Sequence, residues 1–134
     1  MRVVILGCSR VGALLATELF SKGDEVSVID QDPGSLKRLG RDFGGKAILG
    51  IGIDEGALKR AEIEKAEVFI AVTNDDNTNL MAVQLVREKF KTPKIFLRVY
   101  DPKRAEAFKE LDLNIICPTI DTAKKIEKFL SEKA

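Results

Sequence analysis

The chain has no histidine and no tryptophan, only two cysteines among 134 residues, and no apolar run of membrane-spanning length. Without histidine it lacks the commonest general base and the commonest metal ligand. Cys8 and Cys117 form no CxxC or metal-ligand spacing, so no metal is expected. Charge of one sign is also missing. A formal net charge of +1, with 32% charged residues of mixed sign, gives no case for nucleic acid or an anionic membrane. The first apolar run begins at residue 2 with no secretory signal before it, so a cytoplasmic location is expected.

What is present begins with VVILGCSRVGALLA. An apolar run, Val3 to Leu6, breaks at Gly7 and restarts with helical spacing after Gly12. The spacing is G-x-S-x-x-G, with Ser9 where the dinucleotide fingerprint has its second glycine. Gly7 allows the tight turn, and Gly12 lets the helix pack close to the strand. The helix N-terminus then aims free amides at a phosphate. Asp30 closes the next apolar run, VSVID, 18 residues past Gly12. A carboxylate there accepts hydrogen bonds from a ribose, and it disfavours a 2′-phosphate.

Apolar runs alternate with amphipathic segments over the whole chain. The strand candidates are Val3–Leu6, Glu25–Ile29, Ala47–Leu49, Val68–Val72, Ile95–Val99 and Ile115–Cys117. The helix candidates are Val11–Lys22, Pro33–Phe43, Glu55–Ala61, Thr78–Phe90, Pro102–Leu111 and Ile120–Lys133. Asp32-Pro33 and Asp101-Pro102 mark helix starts; Gly23 and Gly44-Gly45 mark helix ends. This alternation predicts an α/β Rossmann fold over residues 1–134 as one domain. Its doubly wound parallel sheet has six strands in the order 3-2-1-4-5-6, with helices on both faces.

The candidate nucleotide contacts fall in four places. The glycine loop contributes Gly7, Cys8, Ser9, Arg10, Val11 and Gly12. Asp30 and Gln31 follow the second strand, Thr73, Asn74 and Asn79 the fourth, and Arg98 stands near the end of the fifth. Arg10, in the first turn of a helix, opposes the macrodipole unless a phosphate meets it; the alternative is an exposed, solubilising arginine. Ser9 either donates its hydroxyl to a phosphate or is a tolerated small residue. Cys8 lies near a helix N-terminus and Arg10, which would lower its pKa; otherwise it is a small loop residue. Asp32 reads as an N-cap. The run Thr73 to Asn79 reads residue by residue as caps and turns, and as a group as part of a site. Arg98 either pairs with a nearby carboxylate or touches a ligand. In the last helix Ala123, Ile126, Phe129 and Leu130 share helical spacing, and either pack on the sheet or join two subunits.

On GCSRVG, VSVIDQDP, LKRAEIEKAEVFIAVTNDDNTNLMAV, RVYDP and IICPT, the chain resembles the N-terminal domain of regulator-of-K⁺-conductance proteins (RCK or KTN, the TrkA-N type). The resemblance covers nearly the whole chain. It implies a Rossmann domain that binds NAD(H) or an adenine nucleotide (AMP, ADP or ATP) and is no catalyst. It also implies a homodimer or larger ring on the cytoplasmic face of an integral-membrane potassium transporter or channel, whose ion flow follows ligand state. Arg10 would meet terminal phosphates, in one arrangement across a dimer interface, and Asp30 the adenosine ribose. Thr73 and Asn79 match the family's T-x-x-[DE]-x-x-N stretch, and Arg98 matches its arginine after the fifth strand. Two departures stand out. Ser9 replaces a glycine, and Gly50-Ile51-Gly52-Ile53 stands where the family commonly has G-D-x-T, with the aspartate near the adenine. The family's C-terminal ligand domain has no counterpart here, so a stand-alone subunit or part of a longer protein is expected. Two other readings remain: a ligand-free assembly scaffold, motivated by Ser9 and Ile51, and an NAD-dependent oxidoreductase, which would need a substrate domain.

Overall fold

The computed structural model describes residues 1–51 and 53–132. Six parallel strands form one sheet in the order β3-β2-β1-β4-β5-β6. They are β1 (Arg2–Leu6), β2 (Glu25–Asp30), β3 (Lys46–Leu49), β4 (Val68–Ala71), β5 (Lys94–Arg98) and β6 (Asn114–Ile116). β1 pairs on one side with β2 (Val4 opposite Ser27) and on the other with β4 (Val4 opposite Phe69), so the strand order reverses beside β1. The central strands are apolar on both faces because helices cover both. Val3, Ile5, Val26 and Val28 face one cluster; Val4, Leu6, Ile29 and Phe69 face the other. Each large aliphatic or aromatic side chain taken fully from water stabilises the fold by roughly 1.5–3 kcal/mol.

The helices are α1 (Arg10–Ser21), α2 (Pro33–Leu36), α3 (Glu55–Arg60), α4 (Asp76–Leu85), α5 (Pro102–Phe108) and α6 (Pro118–Glu132). α1 and α2 pack on the Val3/Ile5 face. α3, α4 and α5 pack on the Phe69 face. The side chains of Ser9, Asp32, Asp54, Asp75 and Asp101 each accept an amide from the first turn of the helix that follows. Such a cap contributes about 1 kcal/mol. It also explains why the carboxyl edge of the sheet is rich in aspartate. Among the described residues no group of three His, Cys, Asp or Glu side chains is placed to hold a metal ion. Nor is any helix among them long and apolar enough to cross a membrane.

Several boundaries differ from the sequence expectation. The second helix is one turn of α2 followed by a 3-10 turn, Lys37–Leu39. Gly40, at φ +78°, ends it, not Gly44-Gly45. Left-handed backbone is open to glycine at little cost, so the nearer glycine stops the helix. α4 starts at Asp76 because Asp75 caps it, two residues earlier than expected, and ends in a π-turn, Val86–Phe90. α6 starts at Pro118; the expected end at Lys133 lies outside the described residues. Of the two readings of the α6 stripe, packing on the sheet is not what the structure has. Ile120 alone of its apolar side chains joins the core, and Ile126, Phe129 and Leu130 are 53–68% exposed.

Candidate functional site

The site is built where β1 and β4 end side by side. Gly7 has φ +103°, and a Cβ there would stand 2.7 Å from the Thr73 amide nitrogen. A Cβ on Gly12 would overlap the Gly7 carbonyl oxygen. Both glycines are therefore required by close approach, as their spacing predicts. Ser9 does not donate to the cleft. Its hydroxyl donates to the Val72 carbonyl at 2.9 Å and accepts the Gly12 amide at 3.2 Å, which ties the loop after β1 to the end of β4. The preceding amides of α1 have no intrahelical acceptor.

Asp30 closes β2 with its carboxylate held from two sides. Oδ2 accepts the Cys8 amide and Oδ1 the Asp32 amide, both at 2.8 Å. Each oxygen keeps a lone pair for a further donor. A carboxylate fixed in this way is preorganised for a diol, because its rotation has already been given up on folding.

A cleft of about 440 Å³ lies over these residues. It brings together Gly7, Cys8, Ser9, Asp30, Gln31, Thr73 and Asn74 of the expected set. Arg10 and Val11 are exposed on the first turn of α1 and do not line it; Gly12 is buried beneath the loop. Sequence reasoning missed Arg38 and Met81, which do line it. Their positions depend on the 3-10 turn after α2 and on the earlier start of α4. The spacing of Asp32, Ser35 and Arg38 along one helical face was the available signal. A second cavity, about 460 Å³, lies at the opposite end of the strands around Val4, Phe20 and Val26 and contains no candidate residue.

Two expected contact residues turn out to be internal. Asn79 is fully buried. Its Oδ1 accepts from the Thr73 amide (3.0 Å) and hydroxyl (2.6 Å), and its Nδ2 donates to the carbonyls of Thr73 (3.1 Å) and Arg98 (2.9 Å). All four of its hydrogen-bonding positions are filled by protein, so it shapes the cleft from beneath and has no group left for a ligand. Arg98 is 4% exposed, and the expected carboxylate partner is replaced by carbonyls. Its Nη2 donates to Val72 O at 2.8 Å, Thr73 O at 3.2 Å and Asn74 Oδ1 at 3.3 Å, while Nε has no partner among the described residues. Its guanidinium lies 4.5 Å from the centre of the Tyr100 ring. Burial lowers its pKa, against smaller opposing effects of Tyr100 and Asp76. The Asp76 carboxylate is itself engaged by the Tyr100 and Asp101 amides.

Of the two readings of Cys8, the small loop residue holds and the lowered pKa does not. Burial first, then the Asp30 carboxylate, push the thiol up, and Arg38 only partly opposes them. A buried thiol so placed stays protonated and unreactive. Native protein at neutral pH is therefore expected to resist iodoacetamide at both buried cysteines. Mass spectrometry showing Cys8 alkylated as fast as in unfolded chain would contradict this.

The TrkA-N domain family profile matches residues 3–118. The chain is 44% identical over 124 residues to the Trk system potassium uptake protein TrkA of Streptomyces coelicolor, spanning 92% of this chain and 54% of that protein. It is 37% identical over 132 residues to the TrkA homolog of Methanothermobacter thermautotrophicus, spanning 98% of this chain and 61% of that one. It thus spans little more than half the length of these relatives. The fold is shared with the TrkA-N domain of the Escherichia coli inner membrane protein ybaL (TM-score 0.84, 22% identity, 96% of both chains). It is shared with the AMP-bound Kef C-terminal domain of Shewanella denitrificans (TM-score 0.79, 22% identity, 92% of this chain and 76% of that one). It is shared too with the GsuK channel bound to NAD (TM-score 0.71, 22% identity, 86% of this chain and 21% of that one). With this match over most of its length, the chain belongs to the TrkA-N domain family.

Proposed function

We propose that this chain is a regulatory nucleotide-binding unit of potassium transport. Its cleft takes an adenine nucleotide or NAD(H), and ligand state is passed to an integral-membrane transporter or channel on the cytoplasmic face. The observation that carries the ligand is the Asp30 carboxylate, fixed by two backbone amides beside the glycine loop that leads into α1, whose Gly7, Cys8 and Ser9 line the same cleft. One group suits a ribose diol, the other a phosphate. The partner follows from the relatives' own names as potassium uptake proteins. The exposed apolar stripe of α6 fits a second copy in a homodimer or larger ring.

The reading is regulatory and not catalytic. The cleft is lined by Asp30, Asp32 and Asp75, and each accepts backbone amides as an anchor or a cap. Binding regulates only if the ligand prefers one of two arrangements of the assembly.

The test is ligand identity. Freshly purified protein is denatured and the released nucleotides are identified by mass spectrometry. Thermal shifts with AMP, ADP, ATP, NAD⁺ and NADH follow. Asp30→Ala is expected to weaken the recovered nucleotide about 100-fold, the worth of two hydrogen bonds to a charged acceptor. If nothing is recovered and none of the five shifts the melting temperature, the ligand-free scaffold is the better account.

A further inference from the structure

The second cavity lies at the amino ends of β1, β2 and β3, away from the nucleotide cleft. Its volume of about 460 Å³ falls within the roughly 300–1,000 Å³ of small-molecule sites. Both layers of the fold line it: Phe20 and Val26 from the α1 side, Val4, Ala61 and Ala66 from the Phe69 side. Small residues leave the room. Ser27 stands opposite Val4 in the sheet, and Ala61 and Ala66 carry only a methyl each. Gly44 and Gly45, which do not end a helix, close one wall. A Cβ on Gly44 would stand 2.6 Å from the Phe20 ring, and one on Gly45 would overlap the Val26 carbonyl oxygen.

Two observations say what the cavity suits. The first is Ser27, which is 7% exposed and lines it. Its hydroxyl makes no hydrogen bond among the described residues, whereas Ser9, the other buried serine, both donates and accepts. A hydroxyl taken from water without a partner carries an unmet desolvation cost. The second is charge. Arg2 Nε meets Glu25 Oε2 at 3.1 Å, Lys46 Nζ meets Glu62 Oε2 at 3.3 Å, and Asp24 Oδ1 meets the Met1 amino group at 2.8 Å. Every charged side chain on the rim is thus neutralised by a neighbour. An ion would shed its water here and find no free counter-charge. A hydrocarbon would leave the hydroxyl unmet.

We propose that this cavity binds a compact neutral molecule, apolar over most of its surface, that exchanges one hydrogen bond with Ser27. The site stands apart from the nucleotide cleft and does not rest on the nucleotide reading.

NMR titration of the chain with indole, indene and indole-2-carboxylate tests it. Indole puts an N–H on a flat apolar body, indene keeps the outline without the N–H, and the carboxylate adds a charge. Indole is expected to shift the amides of Ser27, Ala61 and Ala66 with a Kd of about 1 mM or below, as its size allows. Indene should bind about 3- to 10-fold more weakly, the worth of one neutral hydrogen bond, and the carboxylate more weakly than indole. Ser27→Ala should weaken indole by the same factor and leave indene unchanged, which closes the gap between them. Ala66→Leu should exclude both; if it does not fold, Ser27→Ala decides alone. No shift at the three amides leaves the cavity to water and overturns the site. So does equal binding of indole and indene, a gap that persists in Ser27→Ala, or tighter binding of the carboxylate. Shifts confined to Gly7 and Thr73 would place indole in the nucleotide cleft and overturn it as well. Self-association that is lost in Ala66→Leu, without indole shifts, would give the cavity to a second copy instead.

Discussion

Replacing Gly12 by alanine is expected to destabilise the fold by about 3 kcal/mol, at the upper end of overpacking costs. The added methyl would overlap the Gly7 carbonyl oxygen and stand 3.3 Å from a Val72 methyl. Neither neighbour is the free end of a long side chain. The Gly7 amide is held by Ile29 O at 2.7 Å, and Val72 by its own amide to Leu6 O at 2.8 Å. Relief must therefore come from lifting α1 away from β1. That move also withdraws the helix N-terminus from the cleft, so nucleotide affinity should fall together with stability. Urea denaturation reads the first effect and calorimetry the second. An unchanged urea midpoint would mean that the helix rides farther from the strand than the structure places it.

Asn79→Ala is the second large effect, expected at about 3 kcal/mol. The substitution strands the Thr73 amide, and it removes a donor from the carbonyls of both Thr73 and Arg98. A buried amide without an acceptor carries its full desolvation cost. Asn79→Asp keeps an acceptor for Thr73 but sets a buried carboxylate against the Thr73 and Arg98 carbonyl oxygens, so its loss should be at least as large. The local signature is faster hydrogen exchange at the Thr73 amide in Asn79→Ala. Protection equal to wild type would show that another group holds the loop.

These two residues mark where sequence reading succeeds and where it stops. Gly7, Gly12 and Asp30 act through backbone geometry, and that geometry follows from spacing along a strand-turn-helix unit. They were legible for that reason. Strand order was legible because continuous apolar runs alternating with helices leave few topologies. Asn79 was placed correctly beside the site, yet its role was not legible. An asparagine with four internal bonds and one facing a ligand look the same in a sequence. Arg98 misled similarly: an arginine on an apolar strand suggests a carboxylate, and carbonyls at the end of β4 served instead. Arg38 was missed because its place depends on a helix ending at Gly40, several residues before the stronger-looking Gly-Gly pair. The stripe on α6 reads the same whether sheet or neighbour covers it, so spacing alone could not decide.

The bonds beneath the cleft reach farther than the cleft itself. Gly7 abuts Thr73, Thr73 is held by Asn79, and Asn79 holds the carbonyl of Arg98. Two residues on, the Tyr100 carbonyl accepts the hydroxyl of Thr119, in the first turn of α6. Beyond Ile120 every described residue of α6 is exposed. The helix is thus anchored at one end only, at the edge of the sheet. Fifteen residues give it an arm of about 21 Å, so a tilt of about 10° at Pro118 carries the far end some ~4 Å. Shifts too small to notice at a ribose would be displacements of atomic size at the tip.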